Sequence, residues 1–155
     1  MPFPSLTKPG TLREGFQYQD LYGMHLALSW LEHPANYVWL RFEAEEFGSL
    51  DDVAILKSDH TLSLVQVKHV TERPDRPGLS LDDLLEKKGK RSRSLFEKWF
   101  QSWLNVVDDP QYKSIEAVIY TNRPPAEDLV AVLDSGTPQK IDAAALRQKS
   151  STALR

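Results

Sequence analysis

Apolar residues recur at helical spacing from residue 11 to about residue 32. Leu21, Met24, Leu28 and Leu31 form one stripe, widened by Leu12, Phe16, Leu26 and Trp30, which predicts an amphipathic helix with this stripe turned to the core. Carried toward the N-terminus, the stripe meets Glu14 and Gln17, so the first turns bring polar groups to the core side. Gly15 and Gly23 each weaken a helix by about 1 kcal/mol relative to alanine, and close packing is expected there. His33-Pro34 ends the helix, and Tyr37–Phe42 alternates around Trp39 as a first strand.

Two apolar runs then flank Lys57-Ser58-Asp59-His60, the pattern of two strands joined by a hairpin loop. The second run, 62–68, is apolar on both faces until Gln66 and Lys68, as in a strand buried between two layers. Alternation turns Gln66 and Lys68 to one side. A lysine beside a buried strand is costly unless an acid or a ligand meets it. Antiparallel pairing can bring Asp51 or Asp52 next to it, and such a group of side chains suits a metal-dependent phosphodiesterase site. Val53 and Ile55 share a face with Asp51 and read as core, so Asp52 is expected to face with Ala54 away from them.

Beyond a proline-rich loop, Ser80 with Asp83 and Ser94 with Glu97 resemble capping boxes, each opening a helix. The second helix is expected to set Phe96, Trp99, Phe100, Trp103 and Val107 inward and to stop at Asp108-Asp109-Pro110. Residues 115–120 form a fourth strand, and 127–133 and 142–148 read as short helices. The three sequential strands make a meander, and the later helix crosses over to bring the fourth strand back into the sheet. The fold class is α/β, a mixed central sheet flanked by helices.

A chain of 155 residues is enough for one domain with a real core. Residues 1–10 read as an irregular lead-in, 11–135 as the domain, and 136–155 as a helical tail or the start of a linker. The absence of cysteine excludes disulfides and thiolate metal sites. No apolar run reaches membrane-spanning length, which gives the expectation of a cytoplasmic protein without a membrane partner. The net charge of -3 argues against a general nucleic-acid coat but is compatible with a nuclease, whose carboxylates add negative charge. Against that balance, Lys87, Lys88, Lys90, Arg91 and Arg93 cluster after the buried strand, either as a solvated helix face or as contacts to a phosphate backbone.

The order helix, three strands, helix, strand resembles the αβββαβ core of the restriction-endonuclease-like, or PD-(D/E)XK, nucleases. Glu14-Gly15-Phe16-Gln17-Tyr18-Gln19, Arg41-Phe42-Glu43, Asp51-Asp52-Val53, Gln66-Val67-Lys68-His69 and Tyr120-Thr121-Asn122-Arg123 are similar to the nuclease domain of bacterial anti-phage effectors. Those effectors belong to cyclic-oligonucleotide signalling systems and to NTPase-based phage sensors. The resemblance implies that Asp52 binds metal, with Asp51 as the alternative, and that Lys68 is the catalytic lysine. Gln66 stands where a second carboxylate is usual, as in the glutamine-bearing branch of the family. Glu14, Gln19 and Glu43 then become accessory candidates around the metal. The cofactor implied is Mg²⁺ (or Mn²⁺), the substrate DNA, and the neighbour a fused or assembled sensor or NTPase module, with room for a homo-oligomer. A nuclease-like module without catalysis that binds nucleic acid or protein, and an RNA-directed nuclease, are the alternative readings.

Overall fold

The computed structural model describes residues 8–69, 78–89 and 91–132. In chain order these are α1 (Lys8–Glu32), β1 (Tyr37–Phe42), β2 (Val53–Lys57), β3 (Thr61–Lys68), α2 (Leu81–Leu85), α3 (Leu95–Leu104), β4 (Ser114–Thr121) and α4 (Glu127–Val130), with short 3-10 turns at Pro34–Asn36 and Glu45–Phe47. The sheet order is β1-β2-β3-β4. The first three strands are antiparallel, and β4 joins β3 in parallel after the α2–α3 crossover. The expected meander and crossover are both present.

Alternation divides β3 between two cores. Val65 and Val67, with Val53 and Ile55 of β2, lie under Tyr18, Tyr22 and Leu26 of α1. Leu62 and Leu64, with Ala54, pack on the other side against Trp99, Leu84, Val106 and Leu129. Both capping boxes form, Ser80 with Asp83 and Ser94 with Glu97. They fix where α2 and α3 begin and so aim their apolar faces at the sheet.

Three expectations change. The helix begins at Lys8 instead of 11, because Pro9 falls in its first turn, where a missing N–H costs nothing. More important, the stripe Leu21, Met24, Leu28, Leu31 is exposed, as is Phe16, and the side chains facing the sheet are Tyr18, Tyr22 and Leu26. Tyrosine buries a large apolar ring, and these two reach Tyr120 on β4, with ring centroids 5.5 and 4.0 Å away. Third, α3 stops at Leu104, and Phe100 is 49% exposed instead of inward, stacked between Phe96 and Trp103. Close packing holds at Gly23, where an added Cβ would lie 2.4 Å from the Phe42 ring, but not at Gly15, which has nothing within 4 Å. The segment 142–148 lies outside the described residues.

Candidate active site

The site forms where the polar end of β3 meets the start of β2. The register that pairs Ala54 with Leu64 and Val53 with Val65 carries on to set Asp52 beside Gln66. The Asp52 carboxylate turns to the α3 side together with Ala54, away from Val53 and Ile55. Its Oδ2 accepts a hydrogen bond from the Gln66 side-chain amide and another, 2.7 Å long, from the backbone N–H of Val67. Gln66 is 5% exposed, so this amide is spent inside the protein and not on water. Lys68 follows on the same face of β3, half-buried, close enough for its charge to act on Asp52.

Burial holds the Asp52 carboxyl above the usual carboxylate range. The Val67 N–H and the Lys68 charge oppose this, while Asp51 and Glu43 add to it. Asp52 is therefore a carboxylate short of positive charge.

Glu43 is the other acid here, and its backbone is unusual. It leaves β1 in the left-handed region, φ 48°, which few non-glycine residues adopt. Its N–H donates to the Asp52 carbonyl over 3.2 Å, and the next N–H, of Ala44, donates to the Asp51 carbonyl over 2.7 Å. The side chain accepts from Gln19 Nε2 at 2.5 Å, which ties α1 to the rim of the site. Asp51 is half-buried beside Asp52, and Glu14 is half-buried on α1. Among the described residues no cluster of three or more acidic or histidine side chains has the spacing of a metal cage.

The donor set instead suits Mg²⁺. That ion prefers oxygen, keeps several waters and needs only one or two carboxylates besides phosphate. Asp52 supplies a carboxylate. Gln66, with its amide nitrogen given to Asp52, has its carbonyl oxygen to offer. A soft or imidazole-seeking metal finds no matching ligands in this group.

These features, an acid and a lysine at the end of a mixed sheet joined by a buried glutamine, fit a nuclease, and a family model decides it. Residues 10–125 match the model for the Cap4, dsDNA endonuclease domain. The chain belongs to that family. No curated protein and no solved structure matches the chain. The Cap4 domain is a PD-(D/E)XK-like nuclease effector of anti-phage defence that cleaves DNA.

The basic cluster lies around the start of α3. Lys87, Arg91, Arg93 and Phe100, with Ser92, Glu97 and Gln101, line an open depression of about 400 Å³. Lys87 pairs with Glu97 at 2.6 Å, while Lys88 is exposed and Lys90 lies outside the described residues. Sequence reasoning missed the aromatic floor here, because Phe100 reads as core from helical spacing alone. It also gave Arg123 no role. The side chain is 10% exposed, pairs with Asp83 at 3.3 Å and donates to the Gly78 carbonyl. Arg123 thus pins the start of α2 to the end of β4, using the same Asp83 that closes the cap.

Proposed function

We propose that this domain hydrolyses phosphodiester bonds of double-stranded DNA with Mg²⁺ (or Mn²⁺), through Asp52, Gln66 and Lys68, with little sequence preference. The observation that carries this is the Asp52 carboxylate, held at the C-terminal end of β3 by Gln66 and Val67 with Lys68 on the same face. Asp52 and the Gln66 carbonyl would hold the ion. When bound, Mg²⁺ supplies Lewis acidity toward the phosphoryl oxygen and the attacking water. The remaining work belongs to the chain. Gln66 and Val67 fix the Asp52 carboxylate in one orientation, so no reorganisation is needed when substrate arrives. Lys68 directs its ammonium protons at the attacking water and offsets negative charge growing on the phosphoryl oxygens, more strongly for being half out of water. Gln19 holds Glu43 at the rim, where Glu43 and Asp51 add negative charge that favours a cation. Asp51 is the alternative ligand, and Glu14 is an accessory group on the helix side.

Arg91, Arg93 and Lys88 contact backbone phosphates, with Lys87 contributing less because Glu97 already holds it. Contacts of that kind bind without reading bases. No helix among the described residues is long and apolar enough to cross a membrane. The domain works attached to, or assembled with, a sensor or NTPase module. The deciding experiment is plasmid cleavage with Mg²⁺, with Mn²⁺ and with EDTA. Cutting with either metal and none with EDTA is expected, and metal-independent cutting would sink the reading.

A further inference from the structure

The outer face of α1 carries a pattern that packs against neither core of the described residues. Leu21, Met24, Leu28 and Leu31 are spaced three, four and three residues apart, and each is more than half exposed, Leu31 reaching 79%. A helix with its wide face on a sheet has no need of this. A narrow stripe with alternating three- and four-residue steps is the seam of a two-helix coiled coil. Here the other face of the helix, through Tyr18, Tyr22 and Leu26, is already packed on β2 and β3. The helix is thus preformed, and pairing avoids the entropy that limits short free helices.

We propose that this seam is a homodimer interface in which two copies of α1 pair in parallel. The same four residues meet their equivalents about a two-fold axis, so one self-complementary stripe serves both partners. The flanking positions support the parallel arrangement. Asp20 and His25 stand five residues apart on either side of the seam, the two positions that meet across a parallel pair. A carboxylate thus faces an imidazole N–H at each side. Two such stripes cover roughly 1,000 Å² in total, at the low end for specific interfaces, which points to a dimer formed reversibly with concentration. The functional consequence rests on the nuclease reading. Gln19 ties the first half of α1 to Glu43 beside Asp52, so a parallel pair presents both sites toward the same end of the dimer, suited to a two-stranded substrate.

Sedimentation velocity of the full chain over a concentration series tests the pairing without DNA or metal, so its outcome is independent of whether cleavage is found. Wild type should pass from monomer to dimer, and Leu28→Glu should raise the midpoint by about tenfold or more, since it sets like charges against each other at the seam. Leu28 is 57% exposed, and an unchanged circular dichroism spectrum would confirm that the variant folds. Orientation is read separately. The chain has no cysteine, so Leu31→Cys gives a single thiol. In a parallel pair the two thiols adjoin, while an antiparallel pair centred on the seam separates them by about 15 Å along the axis at 1.5 Å per residue. Rapid dimer formation with a short bismaleimide, and none for Lys113→Cys, is expected. A wild-type monomer throughout the series, or equal crosslinking of both variants, would overturn the proposal.

Discussion

The two faces of β3 begin alike and end differently. On the α1 side Val65 and Val67 stay apolar to the end of the strand, in a dry layer with Val53 and Ile55. On the α3 side Leu62 and Leu64 give way to Gln66 and Lys68. The site is therefore the place where one core row stops being apolar while the strand is still covered. Such a position costs desolvation, and Asp52 shows it in a carboxyl held up by burial. The opposite face bears none of that cost and supplies stability instead. Function and stability are separated here by the pleat of a single strand, which gives the comparison sharp consequences.

The largest contrast is between neighbours on the site face. Leu64→Ala should lower stability by about 2–5 kcal/mol, because it leaves a cavity between Ala54 and the α3 aromatics. Lys68→Ala should do the reverse. It should reduce cleavage by roughly 10²-fold or more through lost charge stabilisation, with the melting temperature little moved. Parallel melts and plasmid assays separate the two; a Lys68→Ala protein that cuts like wild type would remove this lysine from the chemistry. On the far face, Ile55→Val should cost only about 0.5–1.5 kcal/mol and leave cleavage unchanged.

Asp52→Asn sharpens the contrast further, since function and stability should move in opposite directions. Cleavage and calorimetric Mg²⁺ binding should both be lost. Stability should hold or rise at neutral pH. A raised carboxyl value means that the folded state takes up its proton more readily than the unfolded chain, so the stability linked to that proton is present at low pH and is lost as pH rises through the folded value. Asparagine removes the penalty and can still accept from the Val67 N–H. The gain over wild type should shrink as the pH falls through the folded value and vanish below about 4, where Asp52 becomes protonated in the unfolded chain as well. A large loss of stability at pH 7 would show that Asp52 is chiefly structural. Gln66→Glu completes the series. Without metal, a second carboxylate in this buried place should destabilise the fold, and added Mg²⁺ should raise its melting temperature more than it raises that of wild type.

How much of this could be read from the chain follows from the range of the interactions. The sheet was legible because its strands are neighbours and its buried strand shows a continuous apolar run. The pattern Asp52-Val53-Ala54-Ile55 fixed which aspartate shares a face with Ala54, since alternation leaves one choice once Val53 and Ile55 are core. The face of α1 was not legible. That helix is apolar on nearly all sides, and counting aliphatic residues selected the stripe that faces solvent, while tyrosines with polar tips cover the sheet. In α3, by contrast, a cap and a stronger division of faces marked its start and most of its inward residues, Phe100 excepted. Contacts between distant segments stayed hidden as well. Gln19 meets Glu43 and Arg123 meets Asp83 across 24 and 40 positions, and no local pattern announces either.

The smallest expected effect concerns the basic depression, and it tests whether binding and chemistry occupy separate parts of the domain. Arg91 and Arg93 are exposed beside Phe100, whereas Lys87 is held by Glu97. Each phosphate contact on duplex DNA releases counterions and adds about 0.9 to the slope of log affinity against log salt. Arg91→Ala with Arg93→Ala should therefore weaken binding to all sequences alike and make that slope shallower by about 1.8. Lys87→Ala should change it less, because removing the lysine also frees the Glu97 carboxylate, whose charge then repels the backbone. At saturating DNA and low salt, the double variant should cut at close to the wild-type rate, since the charges that act on Asp52 are Lys68, Asp51 and Glu43 and not these arginines. Fluorescence anisotropy over a salt series reads the slope, and single-turnover cleavage reads the rate. An unchanged slope would return the cluster to an ordinary solvated helix face. A collapse of the single-turnover rate at full occupancy would mean that these arginines also place the scissile phosphate, so that the two regions work as one surface.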